Sequence, residues 1–322
     1  NLWLDRRANQ PDSISHNYFP PESFSNPFSN QHKDLTMLLT VGIIIVFASC
    51  LGGFMMAGGA PMMLVHAGEI VIICGIGLGI VVVSSPKAVL VGLAADISKA
   101  FKGGISDKGK FIDLLVLLYE LFMLGRRKGT PALDEHVSDP QNSSIFTKYP
   151  SFLKDARLVE FLCNSLRPIV DGRCKPAEIG GILKSELYSR EDEANRSVKA
   201  IEMLADALPG VGIVAAVLGI INTMSNLEDP QAVGGKVAAA LSGTFLGIFL
   251  AYGIGIPLAK LVQLNQGQEF LYFRIVERSV TGFATGLSPI MAVEIGRRSL
   301  GSAMQPSADE LEEMCKEAAK GV

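Results

Sequence analysis

The usual marks of an enzyme or a metal protein are missing from this chain. Its five cysteines (Cys50, Cys74, Cys163, Cys174, Cys315) are an odd number and form no Cys-x-x-Cys pair. That leaves no disulfide framework and no thiolate metal site to propose. The four histidines, His16, His32, His66 and His136, fall at no ligand-like spacing. No Gly-x-x-x-x-Gly-Lys-Ser/Thr loop is present to cradle phosphates, and no serine elbow to expose a nucleophile. Asp134–Glu135 and Glu191–Asp192–Glu193 read as solvated faces rather than acid–base machinery. A net charge of −3 provides no basic footprint for nucleic acid. The expectation is a protein without catalysis, metal or cofactor.

Apolar length is what the chain has in quantity. Hydrophobic residues are 48% of the 322, and mean hydropathy is +0.33, which favours one polytopic membrane protein over several soluble domains. Four stretches are long enough for a hydrocarbon core of about 30 Å. They are MLLTVGIIIVFASCLGGFMMAGG from Met37, GEIVIICGIGLGIVVVSS from Gly68, LADALPGVGIVAAVLGIINTM over 204–224, and KVAAALSGTFLGIFLAYGIGIPLAKL from Lys236. A fifth run, FIDLLVLLYELFML over 111–124, is too short at about 21 Å of helix. It also carries Asp113 and Glu120, each costly at a bilayer centre. It reads as the core helix of a soluble domain.

Eighteen lysines and arginines lie between residues 86 and 206 and seven follow Ala259, whereas the link between the first two spans has none and that between the last two only Lys236. The positive-inside rule therefore places the middle region, the tail and both termini in the cytoplasm, with the short links outside. The expected organisation is all-α. Residues 1–36 read as a disordered or non-native extension ahead of a start at Met37. Spans one and two occupy 37–85, a helical cytoplasmic domain 86–205, spans three and four 206–263, and a helical cytoplasmic tail 264–322. The third span begins with no loop between it and the charged segment EDEANR, so one helix leaves the cytoplasmic domain and enters the bilayer. Pro209 falls near the first membranous turn of that helix.

The fourth span repeats small residues every four positions: Ala239, Gly243, Gly247, Ala251 and Gly255. Such a stripe admits a close helix neighbour, and packing within one subunit is the plain reading of it. Thr244 stands beside the stripe, and Gly212, Ala215, Ala216 and Gly219 of the third span are small as well. Neither span holds a deep ionisable group, so an ion path through them needs a carboxylate from another chain. Pro257 falls in the last turns of the fourth span, near the depth of Pro209. The two prolines read either as static kinks or as hinges at the cytoplasmic rim.

From Met37 onward the chain resembles the MotA family, the channel subunits of bacterial flagellar stators. ASCLGGFMMAGG, YPSFLKDARLVEFL, ADALPGVGIVAAVLGIINTM, GTFLGIFLAYGIGIPLA, PIMAVEIGRR and QPSADELEE carry the resemblance, in the family's order. It implies a multi-pass protein of the bacterial inner membrane, with five copies around a dimer of MotB. MotB's single span supplies the ion-binding aspartate, and its outer domain grips peptidoglycan. The implied cytoplasmic partner is the rotor protein FliG. In the family, an arginine and a downstream acid engage FliG. Arg126 falls at the first position, with Arg127 and Lys128 beside it, and Asp134 at the second, a departure from glutamate, with Glu135 adjacent. Pro209 and Pro257 match the family's torque-transmitting prolines, and Thr244 its pathway threonine. Ala216 stands where sodium-driven members carry a second threonine, which implies proton coupling. The rival expectation is a TolQ- or ExbB-like subunit that energises outer-membrane transport.

Overall fold

The computed structural model describes residues 29–102, 108–224, 230–302 and 304–319. Every regular element among them is helical. Helix α1 (Ser29–Met56) leads through a 3-10 turn at Pro61–Leu64 to α2 (Ala67–Ser84), which is followed by α3 (Lys87–Lys102) and α4 (Lys108–Lys128). Short helices α5 (Asp134–Ser138) and α6 (Pro150–Leu153) precede α7 (Ala156–Val170). Then come the 49-residue α8 (Pro176–Met224), α9 (Pro230–Leu250), a π-helical turn (Ala251–Gly255) and α10 (Ile256–Ala284). Helices α11 (Pro289–Arg297) and α12 (Ala308–Ala318) complete the described chain.

Four of the helical stretches are long and apolar enough to cross a membrane, and they coincide with the four expected spans. The expected fold class holds. The expected extension at 1–36 lies outside the described residues up to residue 28; its last eight residues are helical and continuous with the first span. The boundaries expected at 205/206 and 263/264 fall inside continuous helices rather than at breaks. Helix α8 runs about 73 Å at 1.5 Å per residue, more than twice a hydrocarbon core.

The run 111–124 is a core helix, as its length and charges require. In α4 every residue from Leu114 to Phe122 is buried. Ser151 Oγ donates to Asp113 (2.6 Å). Glu120, 1% exposed, accepts from Lys148 Nζ and Tyr149 OH at 2.8 Å each. Burial and that bond push the Tyr149 hydroxyl far above its ordinary range. Around α4 pack α7, α10, α11 and α12, with Phe111 stacked on Tyr272, Phe122 on Phe283, and the Phe161 edge on Phe273. The tail is therefore no separate unit: it shares one core with the middle region.

Two helix starts are set by side-chain caps. PSFLKDARLVEFL is not one helix but breaks at Asp155, whose carboxylate accepts from the Arg157 and Leu158 backbone amides and caps α7. In QPSADELEE, Ser307 and Glu310 form a capping box that starts α12.

A polar collar ties α3 to the long helices where they leave the membrane. Asp96 Oδ2 accepts from Ser197 Oγ (2.6 Å) and Gln266 Nε2 (2.9 Å). Lys99 bridges to Glu269 at 2.9 Å, and Arg157 reaches the other Glu269 oxygen at 3.4 Å. Helix α1, by contrast, has no buried residue in its apolar window. It touches the bundle through contacts such as Phe47 edge-on to Phe249.

Candidate functional site

The close contact between the third and fourth spans is made by glycine. A Cβ on Gly247 would lie 2.6 Å from the Leu208 carbonyl oxygen and 2.9 Å from Gly212 Cα. One on Gly212 would lie 2.9 Å from the Gly243 carbonyl oxygen. Further along, Gly255 faces Ala205 and Gly219 faces Ala240. The small-residue stripe is thus spent inside the chain, on α8 against α9. Ala251 is fully buried in the same interface.

Backbones this close fix which faces turn away. Thr244, whose Cα lies 3.3 Å from the Cβ position of Gly212, is half-buried beside the contact, and Ala216 next to Ala215 is 8% exposed. The geometry brings these two positions to the same level of one helix pair.

The prolines differ from each other. Pro209 lies within α8, which continues through it. Pro257 is preceded by the π-helical turn, in which the Ile256 amide bonds Ala251 O, one residue further back than in an α-helix. Proline has no N–H, and its ring crowds the carbonyl four residues back. The wide turn re-registers the ladder at that point. Composition gave no signal for it beyond Pro257 itself. Since Gly255 faces Ala205, the prolines are staggered by about 9 Å along the axes rather than level.

At the end of the helical domain away from the spans, Arg126, Arg127 and Lys128 form the exposed last turn of α4. Their charge complements the partial negative charge of a helix C-terminus. Gly129, at φ +89°, reverses the chain into a 3-10 turn over Thr130–Leu133, and α5 follows with Asp134 and Glu135 exposed in its first turn. The turn is seated by Leu133 and Phe283, which leave no room for a side chain at Gly125. Both signs of charge are therefore displayed on one short hairpin. Asp134 accepts from Ser138 Oγ at 3.1 Å, whereas Glu135 accepts from the Asp139 amide through its backbone carbonyl and its exposed carboxylate points to solvent.

Behind this hairpin His136 is buried, with Nδ1 2.8 Å from Ser143 Oγ. Ser143 Oγ already accepts from the Ile145 and Phe146 amides, so its hydrogen goes to the imidazole, which is the acceptor. Burial lowers the His136 pKa from its ordinary value, more than neighbouring Glu135 raises it.

One residue escaped sequence reasoning altogether. Glu69 of α2 is buried and accepts from Ser242 of α9, so this chain brings a carboxylate of its own against the fourth span. A carboxylate in the first turn of a helix is ordinary in sequence, where it complements the helix dipole, and nothing near it in the chain marks it as buried. Among the described residues no group of three His, Cys, Asp or Glu is placed to hold a metal ion.

Comparison with known proteins bears on the arrangement. Residues 40–129 match the family described as motility protein A N-terminal, and residues 154–274 the MotA/TolQ/ExbB proton channel family. The chain is 35% identical to motility protein A of Salmonella typhimurium, over 86% of this chain and 94% of that protein. Among solved structures, C. jejuni MotAB superposes with a TM-score of 0.66 at 22% identity, covering 82% of this chain and 95% of the other. The flagellar MotAB stator complex of Bacillus subtilis gives 0.63 at 23%, covering 85% and 98%.

Proposed function

The chain belongs to the motility protein A family, and from that premise we propose how its geometry turns ion flow into rotation. It is a multi-pass membrane subunit of a flagellar motor stator and a member of the proton channel family. Ions pass along the side of the α8–α9 pair that carries Thr244 and Ala216. The carboxylate they bind there belongs to a single-span MotB-like partner; the two structural relatives are MotAB complexes. Five copies of this chain surround two of the partner, with both termini and the large helical region in the cytoplasm. The membrane part comprises residues 37–85 and 206–263. The hairpin carrying Arg126, Arg127, Asp134 and Glu135 engages the charged face of the rotor protein FliG.

The observation that carries this reading is the continuity of α8 and of α9–α10 across the membrane boundary. With no loop between the ion path and the cytoplasmic core, a displacement of the membrane helices is delivered to the rotor-facing hairpin, with Pro209 and Pro257 as the points of bending. Alanine at 216 leaves no hydroxyl to replace the hydration shell of sodium, which supports proton coupling. The test is complementation of stator-deleted cells with this chain and its cognate partner. Swimming is expected to return, to need the partner's membrane carboxylate, and to be indifferent to external sodium at constant proton-motive force. Membrane insertion and partner binding without swimming would overturn the torque reading, and speed that tracks sodium would overturn the coupling ion.

A further inference from the structure

Three side chains from separate segments meet where the second span begins. Glu69, in the first turn of α2, accepts a 2.5 Å hydrogen bond at Oε2 from Ser242 Oγ of α9. Ser242 Oγ stands 3.1 Å from Nδ1 of His66, the residue just before α2. A hydroxyl has a single hydrogen. Ser242 Oγ also lies 2.8 Å from the Ala239 carbonyl oxygen, but the 2.5 Å contact to the carboxylate is shorter and charge-assisted, so the hydrogen goes there and the imidazole N–H donates the second bond. The chain of donors is therefore oriented, from imidazole to hydroxyl to carboxylate. It also runs inward, since the His66 side chain is 35% exposed and that of Glu69 only 9%.

Its inner end lies at the depth of the ion path. The Glu69 carboxyl carbon is 3.4 Å from the Cβ position of Gly243, which itself faces Ala215. These residues precede Thr244 and Ala216 in sequence. Helix α8 continues from Ala215 to Met224 for about 13 Å beyond this level. An ionisable side chain enclosed among membrane helices is expensive and marks ion or proton routes. Glu69 and Ser242 alone suffice to pin α2 to α9; the imidazole, 3.9 Å from Glu69 Oε2 and bonded to Ser242, adds a partly exposed group that can exchange protons with water.

We propose that His66, Ser242 and Glu69 form a proton relay that feeds the ion path from the outer face, a role that rests on the stator reading above. Water outside protonates His66 at Nε2. The Nδ1 proton then passes to Ser242 Oγ as the Ser242 hydroxyl proton passes to Glu69 Oε2. One N–H and one O–H bond break and two O–H bonds form, leaving neutral imidazole, an intact hydroxyl and a neutral carboxyl. Glu69 releases its proton to a carboxylate on the partner's membrane helix and is ionised again; the imidazole swings out, gives its Nε2 proton to water and takes one at Nδ1, and swings back as the Ser242 hydroxyl turns again toward Glu69.

The test measures motor rotation in stator-deleted cells carrying the full chain and its partner. With little load the ion steps set the speed, and near stall the free energy per ion does. Ser242→Ala and Glu69→Gln are expected to slow low-load rotation several-fold while sparing near-stall torque and membrane abundance. Glu69→Asp should recover most of the speed, and His66→Gln should flatten its dependence on external pH. The proposal is overturned if Ser242→Ala keeps the unaltered speed and pH profile. It is also overturned if losses are equal at every load and unrescued by Glu69→Asp, the signature of a packing role. If the unaltered chain with its partner does not restore rotation, the stator reading goes and the relay with it.

Discussion

At the scale of single residues, the helix contact between spans three and four makes a graded prediction. Gly247 faces a backbone oxygen, which cannot move aside, whereas Gly243 faces the Ala215 methyl and Glu69 carbons at 3.3–3.4 Å. Gly247→Ala is therefore expected to part α8 from α9 and abolish swimming, and Gly247→Leu to prevent stable assembly. Gly243→Ala should retain motility. Soft-agar halos read beside membrane abundance distinguish the three. The cytoplasmic core offers a second case. Lys148→Met leaves the Glu120 carboxylate buried with Tyr149 as its remaining partner and should cost about 2 kcal/mol, measured by denaturation of the purified complex. Arg126→Glu lies on the exposed hairpin and should leave assembly intact while reducing rotation, through lost charge attraction. The stripe itself was legible, because small residues at four-residue spacing have one physical use. What sequence could not supply was Glu69, since a carboxylate at a helix start is ordinary until a distant serine is found against it.

At the scale of elements, the turns that change hydrogen-bond register hold the testable content. Pro257→Ala restores an amide donor. The π-helical turn then has no proline to accommodate, and α10 is expected to rotate relative to α9 by roughly one residue, about 100°. Paired spin-label distances across α8 and α10 would detect this, with lost swimming at normal abundance. The His136 element predicts a pH response of a definite sign. Neutral imidazole is favoured in the folded state, so the unfolded chain binds the extra proton first. Acidification through the ordinary histidine value of 6.5 therefore destabilises the segment, progressively until the lowered folded value is passed. Hydrogen-exchange protection over residues 139–149, corrected for the intrinsic pH dependence of amide exchange, should fall as pH drops from about 7.5 to 6, and His136→Gln should remove that dependence. Existence and type of the long helices were evident from apolar length. The π-helical turn and the break at Asp155 were not, because each depends on where a single backbone bond finds its partner.

At the scale of the whole molecule, the middle helical region and the tail form one packed body on two helices that are also long and apolar enough to cross a membrane. Sequence divided them because they are separated by two spans; the shared core of α4, α7, α10, α11 and α12 exists only in three dimensions. Helix α8 then has a mechanical consequence. From Pro209 to its start at Pro176 it is an arm about 50 Å long, and the proposed mechanism puts its pivot at Pro209, where the ladder lacks a donor. A swing of about 10° at that pivot carries its tip roughly 9 Å, close to the spacing between neighbouring helices. In the proposed mechanism small strokes at the rim thus become displacements as large as a helix width at the far end of the arm, and the gearing between a chemical step and a mechanical one is written in the length of a single helix.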